Sequence, residues 1–349
     1  MKKIKELSVI LMILVALLVL VGCGSTNYLK STDPNNPSNS ERKDCHTDGH
    51  AFELDKCTVC GATYSDNLVF ELSDDESSYI VLDGQSCKDE TVIIPAVYNG
   101  KPVTEIADGA FYYCETMKKV KIPASVVVLR EGAFHRSYNL ETVEFEEGSQ
   151  LKKIGDSAFL FCDKLRSINF PEGLLDIGKD AFLQCYNLKE IVLPDGLLHI
   201  GINAFTQTGY FRKDENWKNG LTLYIGNHFI ALNGTHTGAK FIVDEGTRVI
   251  ADGVFLGCTN MRNIEIPSSV TSIGSRTFEG CTKLEYVNIQ PGSQLQKIHA
   301  KAFLNCEKLL RVNFAGSSQQ WALIQKEENW VNPEKNFKIY CTDGYLTET

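Results

Sequence analysis

The chain has 349 residues, with 35 Lys and Arg against 44 Asp and Glu, so its formal net charge at neutral pH is −9. This acidic balance, without a basic stripe or interleaved basic and aromatic residues, argues against a nucleic-acid-binding protein. The length would allow several domains, but an internal repeat described below predicts one repetitive body.

The N-terminal segment predicts export. Lys2, Lys3 and Lys5 precede an apolar stretch over residues 7–21 that is too short for an ordinary membrane span and fits a signal peptide over residues 1–22. The stretch ends in Leu-Val-Gly-Cys at Cys23, which resembles a bacterial lipobox. The resemblance implies that the Cys23 thiol takes a diacylglycerol and that cleavage makes Cys23 the new N-terminus. An uncleaved signal anchor is the alternative.

Residues 23–44 are rich in Ser, Thr, Asn and Pro and nearly free of apolar side chains. Such a segment cannot bury a core. We therefore predict a disordered, lipid-anchored tether that holds the remainder of the protein off the extracellular face of the membrane.

A small Cys/His segment follows over residues 45–66. Cys57 and Cys60 form a Cys-x-x-Cys pair with a glycine directly after it, and Cys45 with His50 could complete a tetrahedral structural zinc site. A disulfide is the competing interpretation for an exported protein, and a third is that the cysteines are incidental. The second Cys-x-x-Cys of a complete double knuckle is missing.

A phenylalanine then recurs at intervals of 23, 25, 23, 23, 50, 23 and 25 residues, preceded by Ala in six of its eight occurrences. The eight positions are Phe111, Phe134, Phe159, Phe182, Phe205, Phe255, Phe278 and Phe303. Self-similarity at such a period predicts a stacked-repeat solenoid.

One unit runs from the strand-like segment 165–170 through Pro171 to a second apolar pair, Leu174 and Ile177, and a turn that ends in Ala-Phe182. A single unit cannot bury its apolar positions, whereas stacked copies bury them as one core. The 50-residue interval is two periods with one Phe missing. Its two β-rich runs around Gly226 predict a hairpin within a modified coil over residues 206–254.

The unit resembles the BspA-type leucine-rich repeat, with its Ile-Gly-x-x-Ala-Phe-x-x-Cys pattern, most clearly over residues 104–123, 151–171, 174–194 and 270–289. The resemblance spans about residues 68 to 345. It implies an α/β-type repeat solenoid that is β-rich, with short strands, turns and few short helices, plus terminal caps. The predicted organisation is an entry cap over 67–105, repeats over 106–314 and a C-terminal cap over 315–349.

Several side chains are predicted to be structural. Six cysteines lie three residues after their Phe, where a small buried side chain is expected, and Ser or Thr replaces them in two other coils. Trp321 and Trp330 are expected in the core of the terminal cap, because a solenoid must seal its end. We expect His199 and His299 to decorate the surface.

No catalytic signature of a serine hydrolase, a zinc protease or a nucleotide-binding enzyme is present in the sequence, so we predict that the protein is not an enzyme. The best candidate for binding is the outward row of side chains on the strands, which stacking would align into stripes. Its residues are Lys119, Lys121, Thr142, Glu144, Ser167, Asn169, Glu190, Glu265, Tyr286, Asn288, Arg311 and Asn313.

The family resemblance implies protein binding at the cell surface, as adhesion to host or neighbouring-cell components or matrix. A structural or assembly role in the cell envelope without an external ligand is the alternative, and a cryptic hydrolase is a remote one. The expected partners are the membrane, through the lipid, and an extracellular protein or matrix ligand.

Overall fold

The structure is a computed structural model that describes residues 52–53, 56–57, 63–234, 238–334 and 336–348. The predicted signal peptide, Cys23 and the tether lie outside the described residues.

Of the predicted zinc ligands, Cys45, His50 and Cys60 also lie outside the described residues, and only the backbone of Cys57 is described. That backbone forms part of a two-stranded antiparallel pair in which Cys57 lies opposite Phe52.

Each regular coil contributes a longer strand, a two-residue strand and a turn that carries the repeated Phe. The strands of the first part are β1 (Phe52–Glu53), β2 (Lys56–Cys57), β3 (Val69–Leu72), β4 (Tyr79–Asp83), β5 (Thr91–Ile93), β6 (Val97–Tyr98), β7 (Lys101–Ile106), β8 (Lys119–Ile122), β9 (Val128–Leu129), β10 (Thr142–Phe145), β11 (Lys153–Ile154), β12 (Ser167–Ile168), β13 (Asp176–Ile177) and β14 (His199–Ile200).

A 3-10 turn at Asp214–Asn216 precedes the second part, whose single described α-helix, α1, spans Ser318–Leu323. Its strands are β15 (Trp217–Lys218), β16 (Thr222–Ile225), β17 (His228–Leu232), β18 (Lys240–Ile242), β19 (Val249–Ile250), β20 (Asn263–Ile266), β21 (Ser272–Ile273), β22 (Tyr286–Ile289), β23 (Lys297–Ile298), β24 (Arg311–Phe314), β25 (Gln325–Lys326), β26 (Phe337–Cys341) and β27 (Gly344–Glu348).

The strands form two pairs of sheets. The first part has the order β12-β10-β8-β5 on one side and β14-β13-β11-β9-β7-β4-β3 on the other, with β6 beside β7. The second has β18-β20-β22-β24-β26-β27 and β15-β16-β17-β19-β21-β23-β25. Neighbouring coils pair in parallel, so each residue lies beside its repeat equivalent. This confirms the predicted β-rich solenoid with few helices.

The alternation of side chains along each longer strand explains why stacking is required. In β8, Val120 and Ile122 are fully buried while Lys119 and Lys121 stay partly exposed. Pro123 follows directly and cannot donate to the ladder, so the strand ends there. Repeated in every coil, the inward residues build one apolar core that runs through both parts.

The repeated phenylalanines stack as a ladder inside that core. The rings of Phe111, Phe134 and Phe159 lie 5.1 Å apart with nearly parallel planes. Phe278 and Phe303 continue the same geometry at 4.8 Å in the second part. Burial of these rings, with the added aromatic contact, is a principal source of stability for the coils.

The residues two before and two after each of these phenylalanines have left-handed backbone conformations. The φ values are +54° to +67° before the Phe and +56° to +72° after it. The preceding residues are Gly109, Gly132, Ser157, Asp180, Asn203, Gly253, Arg276 and Lys301, and the following ones are Tyr113, Arg136, Phe161, Gln184, Gln207, Gly257, Gly280 and Asn305. The turn therefore imposes this conformation even on residues that disfavour it.

The predicted hairpin at Gly226 is confirmed, since β16 and β17 pair antiparallel with His228 opposite Ile225. Phe229 of this hairpin is fully buried and meets Phe255 edge-on at 5.5 Å. The hairpin thus fills the place of the missing coil and keeps the core continuous, although the strand order changes there from one pair of sheets to the other.

The repeat cysteines are buried and free, as predicted, at Cys114, Cys162, Cys185, Cys258, Cys281 and Cys306. They also have a polar role. The Cys185 thiol donates to the Phe159 carbonyl oxygen at 3.1 Å, one coil earlier. Ser137 makes the equivalent bond to Phe111 at 2.8 Å. This shared donor explains why Ser can replace Cys at the position.

The C-terminal end is closed by α1 and the β26–β27 hairpin. Ser317 caps the helix, and its hydroxyl accepts from the Gln320 amide while the Gln320 side chain accepts from the Ser317 amide. Trp321 and Trp330 are buried, which confirms their prediction as cap core. None of the helices among the described residues is long and apolar enough to cross a membrane.

Candidate binding surface on the strand face

The predicted row of outward side chains forms a stripe in the first part. Thr142 lies between Lys119 and Ser167 in register, and Glu144 lies beside Lys121. The Lys119 ammonium also reaches the Glu144 carboxylate at 2.5 Å. Charges of opposite sign thus neutralise one another along this stripe, and its surface is polar with little net charge.

The second part carries a ladder of amide side chains. The Asn288 amide donates to the Glu265 carboxylate at 3.2 Å, and the Asn313 amide donates to the Asn288 side-chain oxygen at 2.5 Å. The next residue of the row is Tyr340, which pairs with Asn313 in register. Each amide in such a chain is held in one orientation by its neighbour.

A cationic and aromatic stack runs beside that ladder. The Arg311 guanidinium lies 5.5 Å from the ring centre of Tyr286 and 4.7 Å from that of Tyr340. The ladder borders a surface cavity of about 470 Å³ that Phe314 and Tyr340 help to line. Tyr340 thus joins the stack to the cavity, and Tyr and Arg are among the side chains enriched at the hot spots of protein interfaces.

The outward residues are not aligned continuously along the solenoid, which corrects the expectation that stacking aligns them from the first coil to the last. β12 ends at Ile168, so Asn169 lies outside the strand, and Glu190 lies in a segment with no strand. The next strand on this face is β18. After Phe205 the chain builds the inserted hairpin instead of another regular coil. The candidate surface therefore consists of two stripes.

The expectation for His199 and His299 is wrong. His299 is buried, and its ring stacks on the ring of His199 at 4.7 Å. His199 is bonded through Nδ1 to Asp176 at 2.8 Å and through Nε2 to Asp252 at 3.1 Å. Asp252 follows the inserted hairpin in the chain, whereas Asp176 and His199 precede it. This cluster therefore connects the coil before the hairpin to the coil after it.

The charge of His199 follows from these contacts. Burial disfavours the imidazolium, but the hydrogen bonds and charges of Asp176 and Asp252 outweigh it and raise the pKa of His199 to about 10. Burial and the neighbouring charge of His199 lower the pKa of His299. Both nitrogens of His199 donate to carboxylates, so the group acts as a structural clasp.

Sequence reasoning missed this clasp, although one signal was available. Glycine follows the apolar residue of the short strand in four coils, and His299, like Arg130 and Ala251, departs from that pattern. At Gly178 an added Cβ would lie 2.6 Å from backbone atoms of the preceding coil. A large side chain at this position therefore requires a special environment.

Within the described ranges, no group of three or more His, Cys, Asp or Glu side chains is placed to hold a metal ion. The predicted zinc ligands are not part of this set, so the zinc site stays a prediction.

The sequence family described as the BspA type leucine-rich-repeat region matches this chain in six copies. The matches cover residues 85–212 and 231–323, which is more than half of the sequence. The unmatched stretch between the two ranges contains the 3-10 turn, β15 and β16. Among curated proteins no match is found.

Several solved structures are similar to the chain. A leucine-rich-repeat protein of T. pallidum is 28% identical, with 62% of this chain and 87% of that chain covered and a TM-score of 0.42. A leucine-rich cell surface protein of Faecalibacterium prausnitzii is 20% identical, with 75% and 97% covered and a TM-score of 0.37. The pneumococcal vaccine antigen PcpA is 21% identical, with 72% and 80% covered and a TM-score of 0.34.

Proposed function

Because the chain belongs to the BspA type leucine-rich-repeat family, we propose that it is a non-enzymatic protein of the bacterial cell surface that binds a protein ligand. In this proposal it mediates attachment to host or neighbouring-cell components through its strand face. The observation that carries the proposal is the stripe of the second part, where Arg311 is fixed between Tyr286 and Tyr340, and Tyr340 lines the 470 Å³ cavity.

The physical argument concerns the cost of binding. Long flexible side chains lose conformational entropy when a ligand immobilises them, whereas Arg311 is already held by two rings. The Asn288 and Asn313 amides are likewise oriented before any ligand arrives. A surface prepared in this way supports a specific interface better than an ordinary solvated sheet does.

The test is a binding screen of the purified full chain, in detergent, against extracellular matrix proteins, mucins and glycans. Saturable binding to a protein should weaken about tenfold in Arg311→Ala and in Tyr286→Ala. Lys308→Ala, an exposed Lys in a turn away from the row, is the matched control and should bind normally. Absence of binding to every member of the panel, or an equal loss of affinity in Lys308→Ala, would count against adhesion and favour a structural role in the cell envelope.

We propose further that a diacylglycerol on Cys23 anchors the protein to the membrane, with residues 24–44 as the tether. One acyl chain holds a protein only marginally, whereas two chains anchor it stably. Cys23→Ser should release the protein from the membrane fraction or block its processing, as seen by immunoblotting of cell fractions. Membrane retention of a normally processed Cys23→Ser protein would contradict the anchor.

The zinc site at Cys45, His50, Cys57 and Cys60 is a separate proposal. A closed site with four protein ligands would be structural, because it leaves no open position for a substrate. Metal analysis of the purified chain should give near-unit zinc stoichiometry that is lost in Cys57→Ser. Cys87→Ser, which changes a buried free cysteine outside the segment, is the control. Absence of zinc from the native chain would end this proposal.

A further inference from the structure

A second surface lies on the turn face of the first coils, away from the strand rows. A cavity of about 640 Å³ opens there, lined in part by Tyr112, Tyr113, Arg136 and Lys88. The two tyrosines are 37% and 48% exposed, although aromatic side chains of this size are usually covered. We call this surface the tyrosine–arginine patch.

The side chains of the patch support one another. The Arg136 guanidinium donates to the Tyr112 hydroxyl at 3.0 Å and lies 5.7 Å from the ring centre of Phe161. Tyr113 meets Tyr138 edge-on at 5.7 Å. The guanidinium is therefore held in place. Its Nε is buried and has no hydrogen-bond partner, so a ligand would meet the two Nη groups.

The backbone at these positions allows a side chain of the patch to be removed without changing the turn. Tyr113, Arg136 and Phe161 occupy the position two after the repeated Phe, with φ of +56°, +61° and +61°. Bulky side chains disfavour this conformation, and the equivalent residues Gly257 and Gly280 show that glycine fits the same turn. A glycine at position 136 should therefore remove the side chain without disturbing the turn.

The charges of the patch determine what it would bind. Lys88 and Arg136 are both cations, and within the described part of the chain neither is paired with a carboxylate. Glu115 is the one acidic residue among the lining side chains. Burial and the adjacent Arg136 lower the pKa of His135, which adds no charge near neutral pH. The patch is thus locally cationic on a protein whose net charge is −9.

We propose that the tyrosine–arginine patch binds an acidic peptide segment of a protein partner, with Arg136 engaging a carboxylate and the tyrosines packing against neighbouring side chains. The planar guanidinium matches the two oxygens of a carboxylate. Tyr and Arg are among the residues enriched at protein-binding hot spots. This assignment rests on the protein-binding role proposed above and adds a second site to it.

The experiment probes the purified full chain, in detergent, with an array of short random-sequence peptides and then measures affinities for the peptides that bind. Peptides rich in Asp and Glu should be over-represented at low ionic strength and weaken as salt is raised. Arg136→Gly should reduce their affinity by about tenfold or more. Because glycine suits the backbone at this position, the melting temperature of Arg136→Gly should stay close to that of the native chain.

Two control variants are matched to this change. Gln184→Gly alters the equivalent position of a coil outside the patch, at φ +64°, and Arg276→Gly removes a cation at φ +56° that is paired with Glu279. Both should keep native affinity for acidic peptides. Arg136→Glu should shift the preference of the array towards basic peptides.

The assignment is overturned if acidic peptides are not enriched, if Arg136→Gly binds them as the native chain does, or if the controls lose affinity equally. Binding of heparin that depends on Arg136, without any selected peptide, would also overturn it in favour of an anionic polysaccharide. Strand-face variants such as Arg311→Ala should not affect the array. A negative result in the peptide array therefore does not contradict the strand-face proposal. A negative result in the strand-face screen likewise does not decide the outcome of the peptide array.

Discussion

At the scale of single residues, the turns that flank each repeated Phe combine a fixed backbone with a variable side chain. Position two before the Phe is Gly in three coils, but it is Arg276 or Lys301 in two others with nearly the same φ. A non-glycine residue in this region costs about 1 kcal/mol. The cost persists because the stacked coils on either side determine the backbone more strongly than the local residue does.

Replacing Lys301 by Gly should therefore stabilise the protein. Lys301 is exposed and has φ of +59°, so relief of the backbone should exceed the entropic cost of glycine and raise the free energy of unfolding by about 0.5 to 1 kcal/mol. Urea denaturation measures the change. Lys308→Gly, at an exposed Lys outside the left-handed region, should instead lose about 0.5 kcal/mol. Equal effects in both variants would show that backbone strain at Lys301 is negligible.

The repeat cysteines show where sequence reasoning at this scale stops. Their spacing from the Phe, and their replacement by Ser137 and Thr208, predicted a small buried side chain, and all of these are buried. The thiol bond from Cys185 to the carbonyl of the preceding coil was not predictable. It depends on the offset between neighbouring turns, which a residue pattern does not contain.

At the scale of elements, the inserted hairpin and the clasp at His199 belong together. The hairpin interrupts the strand ladders after β14. The Asp252 amide nevertheless donates to the Ile200 carbonyl at 2.9 Å, and its carboxylate accepts from His199. The backbone bond and the ion pair together connect the coil before the hairpin to the coil after it.

His199→Gln should weaken this connection in a pH-dependent way. The pKa of His199 is about 10 in the folded protein against an ordinary value of 6.5. The stabilisation from its charge is therefore fully present below about pH 6.5 and is lost as the pH rises towards 10. The difference in unfolding free energy between native protein and variant should be on the order of 3 kcal/mol at pH 6 and shrink by pH 10.

His228→Gln is the control, because its effect on stability should depend on pH in the opposite direction. His228 is buried, and burial lowers its pKa to about 4. The native protein should lose stability relative to His228→Gln as the pH falls from about 6.5 towards 4, because the unfolded state takes up the proton more readily. Denaturation curves across this pH range measure both effects. A pH-independent difference for His199→Gln would contradict the charged clasp.

The hairpin was predictable and the clasp was not. Two β-rich runs around Gly226 are a local signal, since a two-residue turn and alternating side chains define a hairpin within a few residues. His199 and His299 are a hundred positions apart in the sequence. Their contact depends on the stacking of the coils between them, which no local pattern contains.

At the scale of the whole molecule, a single core runs through two sets of strands. Stacked-repeat proteins are stabilised mainly by contacts between neighbouring units. A local loss of packing should therefore spread to the adjacent coils and fade at the interruption. The ladder of phenylalanines gives equivalent positions on both sides of the hairpin at which this can be measured.

Phe182→Ala should cost about 3 to 5 kcal/mol, because its fully buried ring stacks on Phe159 at 5.1 Å and on Phe205 at 5.4 Å. In native-state hydrogen exchange, protection should fall most in residues 154–205 and least beyond residue 272. Phe278→Ala is the matched variant in the second part and should give the reverse pattern. Uniform loss of protection in both variants would mean that the two parts unfold as one unit.

The sequence by itself determined the repeat, its register, the burial of the Phe and Cys positions, the hairpin and the cap tryptophans. These follow from the periodic spacing of apolar residues, which is a local property repeated along the chain. The tertiary structure alone decided that the outward side chains form two separate stripes, that His199 stacks on the buried His299, and that Tyr113, Arg136 and Phe161 share one surface. Each depends on how coils far apart in sequence are placed side by side, because stacking brings together residues that no single repeat contains.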